Sequence, residues 1–251
     1  MGCWWQDRRY EFLHGDWAVT MPGRSELPVA VVASGSHGIG LEVCRRLAAL
    51  GYAVVLGARE ARDAELAAKE IDPEGDRVTP RHIEVDNSVN VAALGKWIRE
   101  RFGRADALVN NASTVPDKWA MAGNTGLSPV AEALDMNLFG AWRLTQELLP
   151  LLRSSSRARI VNVSSEDGSI TLMSGGRPAY SVSMAALNAL TRLLAGELYR
   201  DGILVNAVCP GSAQGGGRSA GQGAASIEWA VTLPNDGQTG TFTRDGRELP
   251  W

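Results

Sequence analysis

From Val29 onward, short apolar runs rich in β-branched residues alternate with longer amphipathic stretches. The runs Val29–Ala33, Ala53–Leu56, Val78–Val85, Ala107–Val109, Arg159–Val163, Ile203–Val208 and Thr241–Thr243 read as strands. Several are continuously apolar rather than alternating, the pattern of strands covered on both faces. Between them, helices are predicted near Ile39–Leu50, Arg59–Ile71, Val89–Phe102, Pro129–Arg153, Ala179–Arg200 and Ala225–Leu233. This succession predicts an α/β fold: a doubly wound, seven-stranded parallel sheet with helices on both faces and a crevice outside the carboxyl ends of its strands. No repeat or linker interrupts it, so residues 29–251 are expected to form a single domain.

Residues 1–28 read as an extension ahead of that domain. Trp4, Trp5, Tyr10, Phe12 and Trp17 make it aromatic, with three of the chain's eight tryptophans. Two readings stand open: packing on the body or on a partner subunit, or a misassigned start.

Composition narrows the function classes. At 251 residues the chain is long enough to bury a sizeable core. A net charge of −3 gives no global basic field, so the expected partner is a small-molecule substrate and not nucleic acid. Three cysteines (Cys3, Cys44, Cys209) and three histidines (His14, His37, His82) show neither a disulfide framework nor metal-ligand spacing. No apolar run reaches membrane-spanning length and the start lacks a signal-peptide layout, so no membrane is expected and a cytoplasmic location is.

The candidate chemistry lies at strand ends. After the first strand comes Ala33-Ser34-Gly35-Ser36-His37-Gly38-Ile39-Gly40, opening a helix. Glycines at such a turn let backbone amides approach a pyrophosphate, and the helix N-terminus adds partial positive charge. Arg59 follows the second strand, Asp86 the third, and Asn110-Asn111-Ala112-Ser113 closes the fourth. Arg59 also suits a solvated helix start, and Asp86-Asn87-Ser88 a helix N-cap. Asn137 falls inside the longest helical stretch, either as a special site or as a packing amide. Ser164-Ser165 ends the fifth strand, and Tyr180-Ser-Val-Ser-Met184 opens a strongly helical segment.

Together these stretches resemble the short-chain dehydrogenase/reductase family over residues 29–251, in the manner of bacterial carbonyl-reductase-like members. The resemblance implies a Rossmann-type fold. It places Ser34, His37, Gly38, Ile39, Gly40, Arg59, Asp86 and Asn111 beside a dinucleotide, with Arg59 and His37 favouring NADP. It places Ser165 and Tyr180 on the catalytic serine and the proton-handling tyrosine, and Asn137 on an asparagine that kinks a helix and orders a water leading to a lysine. That lysine, four residues after the tyrosine and in contact with the cofactor, is here Met184. Ala33-Ser34 also stands for Thr-Gly, and Ser113 for the glycine of Asn-Asn-Ala-Gly. A thioether carries no charge to lower a phenol's pKa, so Tyr180 is expected near its ordinary value of about 10.

The altered positions face the cofactor and the retained ones face a substrate. That division puts first a non-redox enzyme, with Tyr180 and Ser165 promoting cyclisation, isomerisation or dehydration and the cofactor either NADP or absent. An NADP-dependent carbonyl reductase comes second and a non-catalytic binding partner third. Trp119, Met121, Leu172 and Met173 suggest an apolar guest, and the Gly/Ser/Ala stretch through Ala225 reads as a flap. The resemblance also implies a homodimer or homotetramer through the two longest helices, where Ala185, Ala186, Ala189, Leu190 and Leu193 offer a small apolar face that suits equally a partner or their own sheet.

Overall fold

The computed structural model describes residues 27–117, 120–211 and 218–251. The aromatic residues of the N-terminal extension and Trp119 lie outside the described residues.

The strands are β1 (Val29–Ala33), β2 (Ala53–Ala58), β3 (Val78–His82), β4 (Ala107–Asn110), β5 (Arg159–Val163), β6 (Leu204–Val208), β7 (Phe242–Arg244) and β8 (Arg247–Glu248). They form one sheet in the order β3-β2-β1-β4-β5-β6-β7-β8, parallel from β3 to β7. The expected seven strands become eight because Asp245 and Gly246 both take positive φ, 53° and 72°. Two such residues in succession make a tight hairpin, which turns β8 back antiparallel to β7.

The helices are α1 (Gly38–Ala49), α2 (Ala61–Ile71), α3 (Ser88–Phe102), α4 (Leu127–Ala133), α5 (Gly140–Arg153), α6 (Pro178–Leu198) and α7 (Ala220–Val231). Alternate residues of β1 serve opposite faces of the sheet, as the pleat requires. Val29, Val31 and Ala33 join a core with Ile98, Leu144, Leu148 and Leu187 from α3, α5 and α6. Ala30 and Val32 join a second core with Val43, Leu47, Ala64 and Ile227 from α1, α2 and α7. The strands are apolar along their length because each face has a helical layer to fill.

Two expectations on the helices are corrected. The stretch Pro129–Arg153 is not one regular helix: α4 runs into a π-helical segment, Leu134–Phe139, before α5 begins. Residues 220–225, expected in the flap, are helical, because Ser219 and Gln222 form a reciprocal capping box that starts α7. Residues 212–217 of the flap lie outside the described residues.

Asp106, buried just before β4, fixes the lower edge of this sheet. Its Oδ2 accepts from the Val29 amide at 2.7 Å and from Arg104 Nε at 3.0 Å, and its Oδ1 accepts from Ser155 Oγ at 2.6 Å. One carboxylate therefore registers the starts of β1 and β4 with the turn before β5. Asp106→Ala strands these donors in a buried setting and should cost about 3 kcal/mol in urea unfolding; a loss below about 1 kcal/mol would show that solvent satisfies them instead.

Candidate active site

The chain leaves β1 for β2 on one side and comes back from β3 to β4 on the other, which opens a crevice between the carboxyl ends of β1 and β4. Ser34 follows β1 and Asn111 follows β4, and Asn111 Nδ2 donates to the Ser34 carbonyl at 2.9 Å across this gap. A Cβ at Gly40 would lie 2.1 Å from that carbonyl oxygen and 2.7 Å from Asn111 Nδ2, so only glycine lets α1 begin against the bridge. At Gly38 the opposite holds: φ is +56° and a Cβ would meet nothing within 4 Å, leaving open space over the helix start. No side chain caps α1 and no acid occupies its first turn. Its first amides thus face this opening without a protein anion, the arrangement that suits a phosphate.

Ser34 itself takes φ 58°. The serine that stands here for the family's glycine therefore carries backbone strain, in a conformation glycine would adopt freely. Beyond it lies a cleft of about 320 Å³ whose lining includes Ser34, Arg59, Ile83, Val85, Asp86 and Ala112. Arg59 Nη2 pairs with Asp86 Oδ2 at 3.1 Å, and the arginine side chain is 57% exposed. The N-cap of α3 is Asn87, whose Oδ1 accepts from the amides of Val89 and Asn90. Asp86 is thus the partner of Arg59 rather than a cap. His37, the exposed residue before α1, is hydrogen-bonded with Ser36 Oγ at 3.2 Å and lines a separate hollow with Asp63, Leu66 and Glu70.

At the other end of the crevice the two serines closing β5 do different work. Ser164 is buried and donates to Asn188 Oδ1 at 2.7 Å, while Asn188 Nδ2 donates to the Gly168 carbonyl at 3.1 Å. Ser165 caps the short 3₁₀ turn Glu166–Gly168, its Oγ accepting from the Asp167 amide at 3.2 Å and donating to Asp167 Oδ2 at 3.3 Å. Its hydroxyl is also close enough to the Tyr180 phenol to favour that group's ionised form. Capping of the turn and proximity to the phenol thus coexist in one side chain.

Tyr180 lies in the first turn of α6. That turn is set by Asp117, a buried carboxylate that accepts from the amides of Ala179 at 2.5 Å and Tyr180 at 3.3 Å. Burial pushes the phenol above its ordinary value; Asp167 and Cys209 push the same way, against the Ser165 hydroxyl and the Arg177 guanidinium. The expected ordinary value is corrected upward, because the phenol is desolvated as well as lacking a lysine. Arg177 lies 5.7 Å from the centre of the Tyr180 ring and pairs with Asp167 Oδ2 at 2.6 Å.

Asn137 sits in the π-helical segment. Its side chain holds the Thr114 backbone at both ends, accepting from the amide at 2.7 Å and donating to the carbonyl at 3.0 Å, and Nδ2 also donates to Ser183 Oγ at 2.8 Å. It acts as a clasp between the loop after β4 and α6. Met184 is 1% exposed and belongs to the core beneath α6. A Cβ at Gly168 would lie 2.7 Å from Met184 Cβ and carbonyl carbon, so the Glu166–Gly168 turn rests directly on the helix at Met184.

The structure thus gathers Ser165, Tyr180 and Asn137 around α6, with Ser34, Gly38, Gly40, Arg59, Asp86 and Asn111 along the crevice. Sequence reading missed Asp117, Asp167 and Arg177. Arg177-Pro178 did announce a helix start, and Ser165-Glu-Asp167 suited a short capped turn, but what brings Asp117 to α6 is tertiary. Met184→Leu conserves volume and should cost under about 1.5 kcal/mol in thermal unfolding; a larger loss would show that the thioether does more than pack.

Residues 28–219 match the family model described as short chain dehydrogenase. The chain is 30% identical to salutaridine reductase of Papaver bracteatum, over 87% of this chain and 94% of that protein. It is 29% identical to (+)-neomenthol dehydrogenase of Capsicum annuum, over 85% of this chain and 94% of that one. Among solved structures, a metagenomic short-chain oxidoreductase in complex with NADP superposes with a TM-score of 0.74 at 26% identity, covering 86% of this chain and 96% of the other. These relatives are named as dehydrogenases and reductases, and that overturns the non-redox cyclisation, isomerisation or dehydration placed first from the sequence. Changes at cofactor-facing positions do not by themselves mark a departure from redox chemistry.

Proposed function

The chain belongs to the short-chain dehydrogenase family, and we propose that it is an NADP-dependent carbonyl reductase that converts a ketone on an apolar small molecule to the alcohol. The observation that carries this reading is the half-buried Tyr180 phenol at the start of α6, near Ser165, with burial raising its pKa. Reduction of a carbonyl asks for a proton donor, and a phenol of raised pKa is one at neutral pH.

The residues present fit the cofactor at its phosphate and adenosine ends. The open face over Gly38 and the uncapped start of α1 would take the pyrophosphate. The cleft at Ile83, Val85 and Asp86 would take the adenosine, with exposed Arg59 available to a 2′-phosphate. At the nicotinamide end Met184 offers packing and no charge. When bound, NADPH would supply the hydride for the carbonyl carbon; the chain supplies orientation and the proton. Tyr180 would give its proton to the carbonyl oxygen from the first turn of α6. Asn137 would keep the Thr114 loop against that helix, and Asp117 would keep the helix start in register.

Ile170, Leu172 and Met173, between Ser165 and Tyr180, and Met121, in the loop after β4, are exposed apolar side chains. They support an apolar substrate, since such a rim loses water-exposed area when one binds. Among the described residues no helix is long and apolar enough to cross a membrane. A homodimer or homotetramer accords with the exposed Val182 and Leu193 on α6, Phe139 at the end of the π-helical segment and Trp142 in the first turn of α5.

The test is NADPH consumption with a panel of apolar ketones. Wild-type protein should oxidise NADPH only when a ketone is present, and Tyr180→Phe should lower kcat by about 10²–10⁴-fold, the range of one general acid. Absence of NADPH binding by calorimetry at millimolar concentration would overturn the reading. The pH profile has a definite sign: the active form is protonated, so kcat should stay level up to about pH 10, the ordinary phenol value, and fall only above it. A fall beginning near neutrality would contradict a raised phenol pKa.

A further inference from the structure

The loop after β5 carries the apolar rim of the site, and its apolar side chains do not anchor it. Ile170, Leu172 and Met173 are 71%, 46% and 38% exposed, so they face water instead of a core. The backbone between them is nevertheless fixed from beneath. Ser169, fully buried, donates its hydroxyl proton to the Pro250 carbonyl at 2.8 Å and accepts from the Leu172 amide at 3.1 Å. Thr171 donates twice to the Trp251 carbonyl, from its amide at 2.9 Å and from its hydroxyl at 2.8 Å, one donor for each lone pair. Two successive carbonyls that follow the whole sheet thus hold the rim.

Residues 249–251 are themselves fastened to the fold. The Leu249 amide donates to the Phe242 carbonyl at 2.7 Å. The Trp251 ring stacks on Phe242, with centroids 5.6 Å apart and planes 28° apart. Phe242 is buried with Ala207 and Cys209 in a small core against which Leu249 and Trp251 pack. The Arg192 guanidinium, from α6, lies 5.9 Å from the centre of the Trp251 ring and donates to the Gly240 carbonyl at 2.8 Å. From the same side of the sheet, Arg244 in β7 pairs with Glu166 in the turn that Ser165 caps. On the reductase reading above, we propose that Trp251 is a specificity-determining residue: its ring, seated on Phe242, places a backbone strap that holds Ile170, Leu172 and Met173 as one face against which a bulky apolar ketone packs. Trp251 is a positioning residue, acting on the substrate only through Ser169 and Thr171. A small ketone, which reaches Tyr180 without covering that face, gains little from the strap.

The test pairs kinetics on two ketones, cyclodecanone and cyclopentanone, with hydrogen exchange, which needs no turnover. Trp251→Ala should raise KM for cyclodecanone about tenfold while kcat stays within about twofold, the signature of lost uniform binding in an apolar pocket. For cyclopentanone, and for NADPH binding by calorimetry, the same variant should stay within about twofold, a selectivity that general loosening of the fold does not produce. Trp251→Phe keeps an aromatic ring over Phe242 and should restore the wild-type KM. Thr171→Val removes one of the three bonds to the strap and should raise KM for cyclodecanone about threefold. In the exchange experiment, Trp251→Ala should speed exchange of the Thr171 amide about tenfold, the factor of one hydrogen bond. An unmoved Thr171 amide, or a KM that rises alike for both ketones, overturns the proposal and leaves the reductase reading standing. If wild-type protein reduces no ketone, the reductase reading falls; calorimetric binding of cyclodecanone that is weakened in Trp251→Ala and kept in Trp251→Phe then supports the strap, and equal binding in all three overturns it.

Discussion

The seating of the Glu166–Gly168 turn on helix α6 at Met184 is the contact on which the chemical end depends. Gly168 has no Cβ, and one would lie 2.7 Å from Met184. Only this close approach lets Ser165, from the end of β5, meet Tyr180, from the start of α6. Asn188 fastens the same turn from beneath by binding Ser164 and the Gly168 carbonyl. Asp117 and Asn137 then tie the loop after β4 to α6. Met184 thus sits at a structural junction, where an apolar side chain closes the core.

That arrangement changes what the missing lysine means. A site without an ammonium does not hold a phenolate easily, and Tyr180 is further biased toward its neutral form by burial and by Asp167. Such a phenol is suited to giving a proton and poorly suited to taking one from an alcohol. The loss is therefore asymmetric between the two directions of a carbonyl–alcohol interconversion, and this asymmetry supports the proposed reduction. At the nucleotide end Gly38 leaves the approach to α1 open, Gly40 lets the helix begin against the Ser34–Asn111 bridge, and Ser34 absorbs its substitution as strain.

Much of the fold was legible because period and composition speak for long elements. The apolar runs of β1, β2, β5 and β6 and the helices α2 and α3 lie within a few residues of their expected limits. The eighth strand was not, because two residues, Arg247 and Glu248, carry no period, although Asp245-Gly246 was a hairpin signal. The π-helical break at Leu134–Phe139 was foreshadowed only through Asn137, since helical spacing does not distinguish an i→i+5 turn from its neighbours. Motif spacing located Ser165, Tyr180 and Arg59, but the roles of Asp117, Asp167 and Arg177 arise from tertiary contacts. The functional ranking went astray where the altered cofactor-facing positions were taken together as a departure from redox chemistry. Met184 looked like a missing charge, whereas in the fold it is a core residue beside a phenol whose protonation other groups already favour.

The most direct test of the central claim, that this site still transfers hydride and proton to a carbonyl, is isotopic. The protein is incubated with NADPH carrying deuterium at the transferable position and with an apolar ketone, and the alcohol is analysed by mass spectrometry. One deuterium on the carbinol carbon, with no exchange into the unreacted ketone, is the predicted result; an unlabelled product, or one rearranged without gaining hydrogen, would contradict it.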